Sequence, residues 1–473
     1  MNELEKQHTL QVSIIANQLK TFYKQNKKVR IYHGSTNSTR TQKFQKDAVI
    51  NTTELNHVIS INVKEKYAIV EPNVSMDNLL KETLKFGLVP PVVMEFPGIS
   101  VGGAIQGGAV ESSSFKFGGF HHTCKEYEIV LGNGNIVTVS TYKNADLYWG
   151  TACSYGSLGV ITKVKLQLIP AKKFVRLSYH RIESFNESIA MLKNESTKKV
   201  DFIDGILFSK ELGIIMTGTF SNNQDLPTVT FGRAVDDWFY THAEYITKKY
   251  NVWTELIPLE DYLFRYNRGA FWTGRYVFKK LKLPFNRFTR FLLNPLMNTR
   301  TLYRFLQAIN ISQRQIVQDL CLPQETTLRF LDFIDKTTHI YPLWLLPGKL
   351  GRKYDKLSPG YFKTKTKLAI DVGVWGKVKG NHSYLIKMNR DIEKMLEKLG
   401  GRKVLYAHQY YPENEFWKIY DKKWYNNLRT KYHANHTFPD IYEKTHVKEK
   451  YKFSVLKGLL NVLKSPFKLP ISE

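Results

Sequence analysis

Between Pro97 and Ser114 the chain reads PGISVGGAIQGGAVESSS. Glycines at 98, 102, 103, 107 and 108 allow a close approach by any group lying against this backbone. Glycine has no side chain to clash and reaches positive φ at little cost. Successive N–H groups in such turns form anion-binding concavities, and the serine hydroxyls add donors. A diphosphate is the natural occupant. Taken alone, the glycines fit tight helix packing plus a turn equally well. Two further segments favour the ligand reading. Gly34-Ser35-Thr36-Asn37-Ser38-Thr39 is a small polar loop that follows the strand-like run Val29 to Tyr32. From Asp146 a helical turn leads into the glycine-bounded Gly156-Ser157-Leu158-Gly159 and then a strand beginning Val160-Ile161.

These loops are not the common nucleotide-binding ones. No GxGxxG follows a strand and no GxxxxGK[ST] is present, which disfavours the Rossmann and P-loop folds. There is no HExxH, and the adjacent His121-His122 cannot share one helical face as metal ligands at i, i+4 do. The pair reads as a turn or polar surface, so no metal is expected. Cys124 and Cys153 have no activating motif and read as buried thiols. Three cysteines without zinc spacing argue for a reducing compartment.

The first third is rich in strand signals. Tyr67 to Val70 is a buried strand ended by Glu71-Pro72, and Ser75 is placed to cap a helix from Met76 to Phe86, with Gly87 beyond its end. Asn133-Gly134 between two β-rich runs predicts a hairpin. Val164, Leu166 and Leu168 alternate with Lys163, Lys165 and Gln167, a strand with one wet face. From about residue 171 aromatics and bases become dense. Phe416, Trp417, Tyr420 and Trp424 lie at helical spacing.

The net charge of +27 calls for a nucleic acid, an anionic membrane surface or an anionic ligand. Two stretches join bases to apolar groups. Residues 276–306 contain no Asp or Glu, and 448–468 is basic with Phe453, Leu456, Leu460 and Leu463 on one face. Such stretches lie at membrane interfaces or cover the protein's own core. The N-terminus has neither the form of a signal peptide nor that of a membrane span, and no later window reaches eighteen apolar residues. The expected location is cytoplasmic, peripheral on a membrane.

At this order and spacing the three loops resemble the FAD domain of the vanillyl-alcohol oxidase and p-cresol methylhydroxylase (PCMH) family. The resemblance continues toward the delta-24 sterol reductase branch through Val70-Glu71-Pro72-Asn73, Ser100-Val101-Gly102-Gly103, Glu111 to Gly118, Tyr341 to Pro347, Leu405-Tyr406-Ala407 and Phe438 to Tyr442. It implies an α+β fold: a two-subdomain PCMH-type FAD-binding domain over 1–172, then a mixed α/β cap or substrate domain over 173–395. A segment at 396–445 would return to the flavin, and 446–473 would be a basic amphipathic tail. It implies a diphosphate held by Gly34, Ser35, Thr36, Asn37 and Ser38. Gly102, Gly103, Gly107, Ser112 and Ser113 would approach the diphosphate and isoalloxazine, and Gly156, Gly159, Val160 and Ile161 would line the adenine or ring. Flavinylated members attach FAD to a His in or just after the first loop. Asn37 stands at that position, so FAD is expected to be non-covalent. Members of the sterol branch carry an N-terminal hydrophobic anchor, and no such anchor is expected here.

The implied activity is FAD-dependent reduction of an alkene in an apolar, sterol-like small molecule, with NADPH as donor. A general acid would protonate the second carbon. His408, Tyr406 and Tyr410 are the candidates, His408 because an ordinary imidazole titrates near neutrality. An alternative keeps FAD but oxidises an alcohol, sugar or other lipid, since fold does not settle substrate. A remote alternative is a basic nucleic-acid-binding protein. No recognisable module supports it, so no nucleic acid is expected.

Overall fold

The computed structural model describes residues 3–34, 44–308, 315–351, 353–378, 380–447 and 471–472. Among them no helix is long and apolar enough to cross a membrane. The chain opens with a helix, Glu3–Lys24, that buries His8, Val12, Ile15 and Leu19 on one face. That 4-3-4 spacing is a single helical stripe. His8 Nδ1 lies 2.7 Å from Glu71 Oε1 and its Nε2 lies 2.9 Å from Glu128 Oε1, which ties the helix to the sheet beneath it.

That sheet has five antiparallel strands in the order Val58–Asn62, Tyr67–Val70, Val160–Gln167, Cys124–Val130, Ile136–Ser140. The Asn133-Gly134 hairpin joins the last two, with Gly134 at φ 86°. In Val160–Gln167, Val164 and Leu166 are buried while Lys163, Lys165 and Gln167 are partly exposed, as their alternation predicts. Arg30–Tyr32 pairs separately, in parallel with Val49–Asn51. The Met76–Leu84 helix ends two residues earlier than expected. Ser75 occupies its N-cap, but its Oγ donates to Asp77 Oδ1 at 2.5 Å rather than capping a backbone N–H.

The second sheet has eight antiparallel strands in the order Val252–Pro258, Phe174–Ile182, Leu212–Ser221, Phe202–Ser209, Leu343–Gly348, Ala369–Lys377, Gln315–Pro323, Arg402–Lys403. Its central strands are buried on both faces: every residue from Ala369 to Gly376 is buried. Helices Phe185–Glu195, Gln324–Thr338 and His382–Lys398 supply an apolar cluster with Phe330, Ile334, Ile392 and Leu396. The fold is therefore α+β, a first domain built on the five-stranded sheet followed by a cap built on the larger one.

The run from Phe416 to Trp424 is two helices rather than one. Glu413–Ile419 stops at Tyr420, and Asp421 caps Lys422–Lys431 by accepting the Trp424 N–H at 2.9 Å. This last part packs back on the first domain: Arg429 Nη1 donates to Ser157 O at 2.6 Å and Tyr432 OH donates to Asp146 at 2.7 Å.

Candidate functional site

The glycine segment folds as a short helix, Val101–Gly107, capped by Ser100 Oγ, which accepts the Gly103 N–H. Gly108, at φ 69°, ends it in the left-handed region. The two readings of these glycines divide between positions. A Cβ on Gly102 would lie 2.8 Å from Pro72 Cβ, so this glycine serves close packing. A Cβ on Gly107 would meet nothing within 4 Å, so this glycine faces open space.

That space is a cavity of about 280 Å³. From the first domain it is lined by Gly102, Gly103, Gln106, Gly107, Gly156, Val160 and Ile161, with His33, Thr52 and Asn73. Gly156, at φ 72°, lies where a Cβ would come within 2.9 Å of Gln106 Oε1. Lys444, from the short helix Ile441–Thr445, also lines it and donates to Gly156 O at 3.1 Å. Burial, with Lys444 nearby, lowers the His33 pKa to about 4, so the ring is neutral at pH 7. A backbone cradle open at Gly107, a cation and neutral polar side chains fit a flavin with a diphosphate.

From the cap the cavity is lined by Phe271, Trp344, Trp375, Tyr303, Asp319 and Tyr406, with Phe96 and Glu95 from the first domain. The rings are in contact: Phe271 stands 4.4 Å from Trp375 and 5.2 Å from Trp344, centroid to centroid. Burial raises the proton affinity of the acids in and behind this apolar wall. Burial, and then the neighbouring Glu111, pushes Glu95 up to about 8. Burial and Asp371 hold Asp319 well above the ordinary carboxyl range. Asp371 is itself pushed up to about 7 by burial and Glu95. Tyr406 is hydrogen-bonded to Asp319, and burial raises its own pKa.

The expected site residues separate on this map. Gly102, Gly103, Gly107, Gly156, Val160, Ile161 and Tyr406 line one cavity. Gly34 is adjacent to the lining residue His33, and Ser35, Thr36, Asn37 and Ser38 lie outside the described residues. Gly159 packs instead against the sheet, where a Cβ would lie 2.6 Å from Ile129 Cγ2. Ser112 and Ser113 are not in the cavity wall. Ser112 O accepts the Ile203 N–H at 2.8 Å, Ser112 Oγ accepts from Tyr262 OH at 3.2 Å, and Ser113 Oγ donates to Pro91 O at 2.8 Å. The Ser112 contacts and Ser114 O, which accepts the Lys349 N–H at 3.0 Å, join the first domain to the cap, whereas Ser113 bonds within the first domain. Neither His408 nor Tyr410 lines the cavity. The His408 carbonyl accepts from Gln318 and from Lys403, and the Tyr410 N–H donates to Glu393 Oε1.

His121 and His122 do sit in a turn, Phe120–Thr123, but His121 is buried rather than at a polar surface. Both Nε2 atoms lie close to Asp355 Oδ2, at 3.0 and 3.1 Å, and the three side chains could hold a cation. Despite its burial Asp355 is held well below the carboxyl range by these two rings. Glu95 and Asp319 had no motif to mark them. A lone acid among apolar neighbours, as in Val92-Val93-Met94-Glu95-Phe96, was the available signal.

Residues 11–140 match the family described as FAD binding domain. The chain is 29% identical over 450 residues to a Delta(24)-sterol reductase from Homo sapiens, covering 92% of this chain and 86% of that one. It is 28% identical over 434 residues to a Delta(24)-sterol reductase from Arabidopsis thaliana, covering 84% and 76%. It is 34% identical over 153 residues to Cytokinin dehydrogenase 9 from Oryza sativa subsp. japonica, covering 32% and 29%.

Proposed function

We propose that this chain, an FAD-dependent oxidoreductase similar to delta-24 sterol reductases along nearly its whole length, reduces an isolated carbon–carbon double bond in a sterol-like lipid. The observation that carries this reading is one cavity that joins a glycine cradle to an aromatic wall holding acids of raised proton affinity. Bound FAD, once reduced, would supply the hydride. Gly102, Gly103, Gly107 and Gly156 would hold the cofactor by backbone, with Lys444 as the cation near its phosphates. Attachment would be non-covalent.

Phe271, Trp344, Trp375 and Tyr303 offer a hydrocarbon the flat apolar contacts it needs. An isolated alkene gives no stable anion, so the proton must be ready when hydride arrives. Tyr406 is the proposed donor. Its hydroxyl would give a proton to one alkene carbon as hydride bonds to the other, so two C–H bonds replace the π bond. Asp319, protonated and hydrogen-bonded to Tyr406, would restore the phenol. NADPH is the proposed electron source, with NADPH and one proton consumed per alkene.

The test is anaerobic. NADPH should bleach the flavin spectrum, and a sterol with a side-chain alkene should restore it with a saturated product. A flavin bleached by an alcohol and restored by oxygen, without response to NADPH, would replace the reductase reading with an oxidase. The 153-residue match to a relative named as a dehydrogenase keeps that outcome in view.

A further inference from the structure

We infer that the segment between Thr273 and Tyr303 is a docking platform for an anionic lipid bilayer. Both of these end residues line the cavity, so the segment leaves its wall and returns to it. Between them run three short helices, Arg275–Lys280, Arg287–Leu292 and Asn294–Met297.

The inner face of the platform is anchored. Phe278 and Phe285 pack on Trp238, with centroids at 5.8 and 5.2 Å. Arg290 pairs with Asp237 and lies over Phe285. Arg287 Nε donates to Val235 O at 3.0 Å. The outer face is different. Leu281, Leu283, Phe288, Phe291, Leu292 and Leu296 are all exposed, Phe288 at 68% and Leu292 at 58%. Lys279, Lys280, Lys282 and Arg287 are exposed among them, and residues 276–306 contain no carboxylate.

A solvated helix covering its own core would turn its aromatics inward. Here one set is inward and a second set is outward. Outward Phe and Leu with interleaved lysines match the layered chemistry of an interface: acyl chains meet the apolar groups and anionic headgroups meet the bases. A nucleic acid would use the bases but leave Leu281, Leu283, Leu292 and Leu296 without a partner. The platform's continuity with Thr273 and Tyr303 of the cavity wall gives the docking a use that rests on the proposed sterol-like substrate: it holds the cavity against the surface from which a lipid is taken.

The test is flotation of the full chain with phosphatidylcholine vesicles, with and without phosphatidylserine. Wild type should float with the mixed vesicles and less with the neutral ones. Phe288→Ser/Phe291→Ser/Leu292→Ser should bind the mixed vesicles about ten-fold more weakly or worse, with unchanged thermal midpoint and flavin spectrum. Lys279→Gln/Lys280→Gln/Lys282→Gln should lose the preference for phosphatidylserine. Absence of wild-type flotation, or equal flotation of the triple serine variant, would overturn the proposal. So would a wild-type dimer that the serine variant dissolves, or retention on DNA that the serine variant keeps while vesicle binding is absent. Flotation is read without turnover. A chain that floats as stated but reduces no sterol alkene would leave the platform standing and remove the proposed reaction.

Discussion

Arg265 Nη2 donates to Asp204 Oδ2 at 2.9 Å, with both side chains 1% exposed. The same carboxylate oxygen accepts from Tyr266 OH at 2.6 Å and Trp344 Nε1 at 3.1 Å, while Arg265 also reaches Glu111 at 3.3 Å. One buried charge pair thus links the Glu111–Ser114 turn of the first domain to the cap wall that carries Trp344. Removing one partner of such a pair leaves an uncompensated buried charge. Asp204→Leu should therefore lower stability by about 3–5 kcal/mol in urea unfolding. Asp204→Leu/Arg265→Met should recover part of that loss. A single variant within about 0.5 kcal/mol of wild type would show that the pair does not brace the domains.

Gly102 and Gly107 share a helix but face different things, and their substitutions should separate. Gly102→Ala places a methyl 2.8 Å from Pro72 Cβ and should reduce the thermal midpoint. Gly107→Leu meets no protein atom within 4 Å at its Cβ, so the fold should persist within about 1 kcal/mol while the side chain enters the cradle. The expected signature is a folded, colourless protein. Yellow Gly107→Leu of full flavin content would remove this helix from the cofactor site.

Tyr406→Phe keeps the ring but removes the proposed proton. It should lower kcat by about 10²–10⁴-fold while leaving flavin reduction by NADPH unchanged. His408→Ala should leave the pH profile of kcat in place, because His408 is outside the cavity wall. Rapid-mixing measurement of the two half-reactions distinguishes these outcomes. A slow reductive half-reaction in Tyr406→Phe would assign the residue to flavin positioning instead.

Glu95 couples stability to pH. In the unfolded chain it titrates at its ordinary value of 4.5, and in the fold it holds its proton to about 8. Between these values the folded state binds more protons, so the contribution of Glu95 is full below 4.5 and is lost as pH rises toward 8. Asp371, raised from 3.8 to about 7, acts in the same direction. Glu95→Gln, denatured in urea across pH 5–8 at fixed flavin saturation, should show a flatter decline than wild type. An unchanged slope would mean that Glu95 is ionised in the fold.

Flavin should leave the polypeptide on denaturation. After SDS electrophoresis the protein band should show no flavin fluorescence, and the released cofactor should be recovered by filtration. A fluorescent band would point to a covalent link from a residue near Gly34.

Local chemistry was legible along the chain. The Val160–Gln167 alternation, the Asn133-Gly134 hairpin and the glycine loops depend on neighbours a few residues apart. The glycine loops and the resemblance they carry pointed to FAD before any contact was known. The division of labour among the small residues was not legible. Gly102 and Gly107 look alike in sequence, and only the position of Pro72 tells packing from cradle. Ser112 and Ser113 read as phosphate donors, yet Ile203, Tyr262 and Pro91 take their polar atoms.

The sequence by itself determined the local elements, because backbone permissiveness and periodicity are local properties, and its resemblance to a flavoprotein family indicated the ligand and the class of chemistry. Tertiary structure alone decided which acids matter. Glu95, Asp319 and Asp371 are separated by hundreds of residues or dozens, and each is an ordinary carboxyl until burial removes its water. Their raised proton affinity comes from shared burial and mutual repulsion in the low-dielectric interior, and no single stretch of chain contains that environment.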